Sequence, residues 1–99
     1  MPATFTSVYT QGMDDRPVVW DRANRKHIEE DHPERRITAR EVEEVMTDAT
    51  RTEAPDPKRK GYTLVRGRTA AGRRLLVAWV EYGDGRYPVH AHVTGRRGR

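Results

Sequence analysis

The chain has 99 residues, with 19 Lys and Arg against 15 Asp and Glu, a net charge of +4 and no cysteine. That length holds one domain, and the missing cysteine excludes a disulfide scaffold, a thiolate metal site and a cysteine nucleophile. The longest apolar run, residues 75–80, is far too short to cross a membrane, and the N-terminus lacks the regions of a signal peptide, so a cytoplasmic protein is expected.

Residues 1–15 carry no hydrophobic period and read as a flexible N-terminal tail, leaving a single domain over residues 16–94. Residues 17–20 (Pro-Val-Val-Trp) form a short strand, placed at an edge because Pro17 has no N–H for a ladder. Asp21 is a suitable N-cap for a first helix over residues 22–31, and Pro33 disfavours helix at His32 and stops it. The second helix, residues 39–48, is better marked. Thr38 and Glu41 have capping-box spacing, Ile37 and Val42 form a hydrophobic staple, and Val42, Val45 and Met46 make one narrow apolar stripe.

Residues 51–54 read as a strand and residues 55–61 as a Pro-rich loop that is basic at its end. Residues 62–66 are a strand and residues 67–72 a turn. A hairpin then pairs residues 73–82 with residues 86–94 around the turn 83–85. Residues 95–99 are a basic C-terminal tail, since Gly95 and Gly98 argue against a helix. The order β-α-α-β-β-β-β predicts an α+β fold. Two helices lie on one face of a mostly antiparallel sheet of four to five strands, with Ile28, Val42, Val45, Val77, Trp79 and Val89 buried.

Only 16 residues are Val, Leu, Ile or Phe. The core is therefore thin, and association with a partner or a second copy would add burial. Sixteen of the 19 basic residues are Arg. Arg suits bidentate phosphate contacts and makes nucleic acid the natural partner class, although a GC-rich genome writes the same bias. Acidic residues concentrate between 29 and 56, basic ones from 58 onward, so a basic sheet is set against a more acidic helical half.

Strict alternation in the last strand points Tyr87, Val89, Ala91 and Val93 one way and Arg86, Pro88, His90 and His92 the other. Parity adds Arg74 and Tyr82 to the polar face. Two imidazoles there matter because histidine changes charge near neutral pH. A zinc pair at His90 and His92 would need a third ligand and a second shell that nothing nearby announces. No metal or other cofactor is therefore expected.

The order of these elements resembles the BrnT family of toxin ribonucleases, in the RelE-like fold group. The resemblance runs from residue 17 to residue 94. It rests on Trp20-Asp21-x-x-Asn24-x-x-His27-Ile28, on His32-Pro33 where the family often has His-Gly, and on Ile37-Thr38-x-x-Glu41-Val42-x-x-Val45. It continues through Gly72-Arg73-x-Leu75-x-Val77. The motifs are short, and their order and spacing carry the weight. Two departures stand out. The family's Ala-Arg in the last strand is Ala91-His92 here, and the family's C-terminal helix is replaced by a basic tail.

The resemblance implies a RelE-like fold and a toxin of a type II toxin–antitoxin system. Its activity would be metal-independent RNA cleavage by the ribose 2′-OH, with an antitoxin or a homodimer as the expected assembly. On that reading His90, His92, Arg74 and His27 are the candidate catalytic residues. One imidazole takes the 2′-OH proton while another group protonates the leaving 5′-oxygen, which would give a bell-shaped pH profile. Arg66, Arg86, Tyr82 and Lys26 are the candidate substrate contacts, the arginines for phosphate and Tyr82 for a base. The rival is a non-catalytic RelE-like module that binds nucleic acid or a protein. The Arg-to-His change and the missing helix favour it.

Overall fold

Thr38 ends an extended segment with its hydroxyl accepting from the Glu41 N–H, while the Glu41 carboxylate accepts from the Thr38 N–H. This closed capping box starts helix α2, Ala39–Met46, whose Val42, Val45 and Met46 are fully buried. Helix α1, Arg22–Glu29, begins on the same kind of box. The Asp21 carboxylate accepts from the Asn24 N–H, and Asn24 Oδ1 accepts from the Asp21 N–H. Each box satisfies two amide groups that would otherwise be orphaned at a helix start. Both helices stop about two residues short of their sequence-predicted ends. Pro33 opens a 3₁₀ turn, Pro33–Arg35, after the first. After the second, the Asp48 carboxylate takes the Thr50 N–H and hydroxyl.

The structure, a computed structural model, describes residues 10–11 and 14–94. Five strands follow one another as an antiparallel meander: β1 Thr10–Gln11, β2 Thr52–Pro55, β3 Tyr62–Arg68, β4 Arg74–Tyr82 and β5 Gly85–Val93, in the order β1-β2-β3-β4-β5. Residues 10–11 pair with Glu53 and Thr52, so part of the expected tail is an edge strand. The rest of that tail up to residue 13, and the basic residues 95–99, lie outside the described residues. Residues 17–20 are not a full strand. Val18 makes an isolated parallel bridge to Arg86, with Val19 N–H donating to the Arg86 carbonyl and Arg86 N–H to that of Pro17.

Both helices cover one face. Ile28, Ile37, Val42, Val45 and Met46 pack on Val65, Leu75, Val77, Trp79 and Ala91. The sequence expectation of an α+β fold with both helices on one side of an antiparallel sheet is met, with Trp79 only 4% exposed. Val89, expected in the core, is only partly buried. The reason is a register shift. Ala78 pairs with His90, but Trp79 pairs with Pro88, so Val89 is the unpaired residue of a bulge. Pro88 cannot donate to the ladder, and a bulge at such a point is where a strand loses its period of two.

That shift decides which side chains share a face. Arg86 and Pro88 stand opposite Glu81 and Trp79, on the helix side. His90 and His92 stand opposite Ala78 and Leu76, on the side that neither α1 nor α2 covers. Unbroken alternation would have put all four together.

β5 is the last strand, yet its outer edge is not bare. Asn24 Nδ2 donates to the Val19 and Pro88 carbonyls, and Arg35 Nη1 donates to the Ala91 carbonyl at 3.1 Å. With the Val18 bridge, these contacts cover an edge that would otherwise template another strand. They also bring α1 and the 3₁₀ turn around the rim, next to the open face.

Candidate functional site

All four histidines of the chain meet at this rim. His90 and His92 project from β5 on the open face, their rings 5.3 Å apart, with His90 Nε2 and His92 Nδ1 at 3.3 Å. His27, on the last turn of α1, lies 6.5 Å from His90 and 5.4 Å from His32, the residue before Pro33. The His27 ring nitrogen Nδ1 is 3.2 Å from the Asp31 carboxylate, and His32 Nδ1 is 3.5 Å from that of Glu34. His27, His90 and His92 were expected from the sequence. His32 was missed as a site residue, although it is the one remaining histidine and follows His27 by a little over one helical turn.

Electrostatics separate the pair on β5 from ordinary surface histidines. Burial, then the nearby Arg35 guanidinium and the neighbouring His92 and His27, pull His90 from 6.5 down to about 4. His92 is also pulled down, by burial and then by Arg35 and Arg66. Both rings are therefore neutral at pH 7. Neutral imidazole carries a lone pair and can accept a proton. One N–H of the pair fills the 3.3 Å gap, so the two rings form a single hydrogen-bonded unit with one outer nitrogen on each: Nδ1 of His90 and Nε2 of His92.

A basic cluster shares the open face. Arg66 and His92 both stand opposite Leu76, on the two flanking strands, so their Cα atoms are about 10 Å apart. Arg68 stands directly opposite Arg74 one step further along. Like charges placed opposite one another are unfavourable. Among the described residues, none of Arg66, Arg68 and Arg74 has an acidic side chain within ion-pair distance. The three, with Thr94, line a groove closed on its far side by Asp48 and Thr50. Arg74 is thus on the expected face, but in this cluster rather than among the histidines.

The remaining expected contacts divide. Tyr82 is 54% exposed on the open face, at the opposite end of β4 from Arg74, and its ring lies nearly perpendicular to that of Tyr87. Lys26 is exposed on α1, with Nζ 2.7 Å from the Asp31 carboxylate that also meets His27. Arg86 is a correction. It is 2% exposed, on the helix side of the bulge, where Nε donates to the Arg16 carbonyl and Nη1 to the Met46 carbonyl at the end of α2. It satisfies an orphan helix carbonyl and has no access to a ligand. Arg73 has a similar internal task, binding the Arg36 carbonyl and the Glu41 carboxylate.

Among the described residues no helix is long and apolar enough to cross a membrane, and no group of three His, Asp or Glu side chains is arranged to hold a metal ion. No protein-family model, curated protein or solved structure matches the chain.

Proposed function

We propose that the open face of this sheet binds single-stranded RNA and cleaves it, as the resemblance to BrnT-type toxins implies. The observation that carries the reading is the junction of two features on the face that neither α1 nor α2 covers: a hydrogen-bonded pair of neutral imidazoles and three arginines that, among the described residues, have no acidic side chain within ion-pair distance. The first suits proton transfer and the second suits phosphate.

The chemistry is a transesterification. The ribose 2′-oxygen attacks its own phosphorus, the P–O5′ bond breaks, and the products are a 2′,3′-cyclic phosphate and a 5′-hydroxyl. One proton leaves the 2′-OH and one arrives on the 5′-oxygen. The imidazole pair can do both without a net change of charge. One outer nitrogen accepts, the shared N–H shifts between the rings, and the other outer nitrogen donates. Arg66 and Arg74 supply positive charge to offset the negative charge that develops on the pentavalent phosphorane. Burial, with the Arg35 guanidinium nearby, keeps the pair neutral. No metal enters, because the nucleophile belongs to the substrate.

The natural assembly for such a protein is a complex with a neutralising antitoxin, or a homodimer that the antitoxin recognises. The thin core gives a physical reason for association.

The deciding assay is purified protein on an end-labelled single-stranded RNA, with analysis of product ends. Cyclic phosphate products that disappear in a His90→Ala, His92→Ala double variant support the reading. Cleavage no greater than in that variant overturns it and leaves the rival, a non-catalytic nucleic-acid or protein-binding module on the same face.

A further inference from the structure

At the end of β4 away from the arginines, the open face carries a second, chemically different recess, lined by Asp21, Val80, Tyr82, Tyr87 and the flank of Glu81. Tyr82 and Tyr87 meet edge to face with ring centroids 5.0 Å apart, a geometry in which Tyr87 covers at most one flat face of the half-exposed Tyr82 ring. Beside them the Asp21 carboxylate is fixed. Tyr87 Oη donates to it at 2.9 and 3.0 Å, and it accepts the Asn24 N–H that starts α1. Glu81 is paired with Arg16 at 2.6 Å, whereas Asp21, among the described residues, is the acid of the recess with no cationic side chain in ion-pair range. An aromatic platform next to a held carboxylate is a poor site for phosphate and a good one for a flat group with N–H donors.

We propose that this recess is a nucleobase pocket that selects guanine at a position flanking the scissile phosphate, with the base stacked on Tyr82 and its Watson–Crick edge donating to Asp21. The proposal rests on the reading of the open face as an RNA track and adds its specificity. Guanine fits because it alone among the four bases presents two adjacent N–H donors, N1 and N2, on one edge, and a carboxylate accepts both. Adenine and cytosine each offer one amino group there, and uracil a single ring N–H. The placement is also right. Tyr87 and His90 are separated on β5 only by Pro88 and the bulged Val89, so a base at Tyr82 and a phosphate at the imidazoles belong to neighbouring nucleotides. The distance from Arg74 to Tyr82 along β4, about 26 Å, leaves room for the backbone on the arginine side.

The test uses eight-residue oligouridylates carrying one central guanine or one central adenine, with both binding and cleavage measured on the full chain. Wild type is expected to bind the guanine oligomer about tenfold more tightly and to cut at a fixed offset from that guanine. Tyr82→Ala removes the stacking platform and should weaken binding of the guanine oligomer roughly 5- to 100-fold, as base–aromatic stacks of about 1–3 kcal/mol do, while Tyr82→Trp restores it. Asp21→Asn keeps a good N-cap for α1 but replaces one acceptor oxygen with a donor, and should bring the guanine-to-adenine ratio close to one. Equal binding of the two oligomers by wild type, or a ratio untouched by Asp21→Asn, overturns the pocket. Guanine preference in binding without any cleavage keeps the pocket and overturns the ribonuclease reading. Cleavage without base preference does the reverse.

Discussion

Arg86 Nη1 reaches the carbonyl of Met46 across forty residues of chain, at 3.0 Å, and closes the C-terminal end of α2 from inside the fold. Its Nε holds the Arg16 carbonyl at 2.8 Å, and the Asp14 carboxylate stands 3.9 Å away. One guanidinium thus ties α2, β5 and the segment before Val18 together. Leaving the buried Met46 carbonyl without a donor costs free energy. Arg86→Met is expected to destabilise the protein by about 2–4 kcal/mol, seen as a lower urea midpoint. RNA affinity at a temperature where the variant is folded should be unchanged. A loss of affinity without a loss of stability would restore Arg86 to the substrate contacts.

The same seam predicts a glycine effect. A Cβ on Gly85 would lie 2.3 Å from Val19 Cγ2 and 3.0 Å from the Pro17 carbonyl. Gly85→Ala therefore forces the 17–19 segment away from β5 and opens its protected edge. We expect a loss of about 1–3 kcal/mol, together with faster amide exchange at Val19 and Arg86, whose N–H groups form the bridge. Unchanged exchange at those two amides would show that the segment accommodates the methyl.

Much of this arrangement was legible in the sequence, and the exceptions at the candidate site come from long-range contacts. Capping boxes are local, so the Asp21 and Thr38 helix starts could be read from a few residues. The helix-face residues Val77 and Trp79 follow simple alternation in β4. Alternation failed only in β5, where the bulge at Val89 reverses the phase between Pro88 and His90. A bulge depends on pairing with another strand, which a single strand's sequence does not state, and so Arg86 was placed on the wrong face. His32 and Arg35 were missed as members of the site for a related reason. They join it only because the 3₁₀ turn wraps the β5 edge, a long-range contact held by Arg35 on the Ala91 carbonyl.

The depressed pKa of His90 makes stability depend on pH. The folded protein binds its proton only near pH 4, whereas in the unfolded chain the ring binds one below about 6.5. Between those values the unfolded state holds more protons, so stability must fall as pH falls. His92 acts in the same direction. Urea midpoints measured from pH 7.5 to 4 should therefore drop across this window, and the drop should shrink in His90→Gln. Chemical-shift titration of the His90 ring gives the direct check. A midpoint near 6.5 would remove the predicted dependence.

Catalysis inherits the same pair. If an imidazole must be neutral to accept the 2′-OH proton, activity rises with pH through the pKa of His90 and stays level into the neutral range. Both rings are shifted the same way, so the bell expected of one charged and one neutral histidine is replaced by a single limb on the acid side of pH 6.5, measured within the folded range. His92→Ala should lower kcat tenfold or more, on the scale of about 10² to 10⁴ for a lost proton-transfer group, with circular dichroism unchanged. Arg66→Ala and Arg74→Ala should act differently. Each removes a phosphate contact, so RNA affinity falls and the slope of log affinity against log salt becomes shallower by about 0.7 per arginine. EDTA should leave the rate untouched. A bell centred near pH 6.5 would mean that one ring is charged when it works and would exclude proton relay through a neutral pair. A salt slope identical in wild type and both arginine variants would move the RNA off this face.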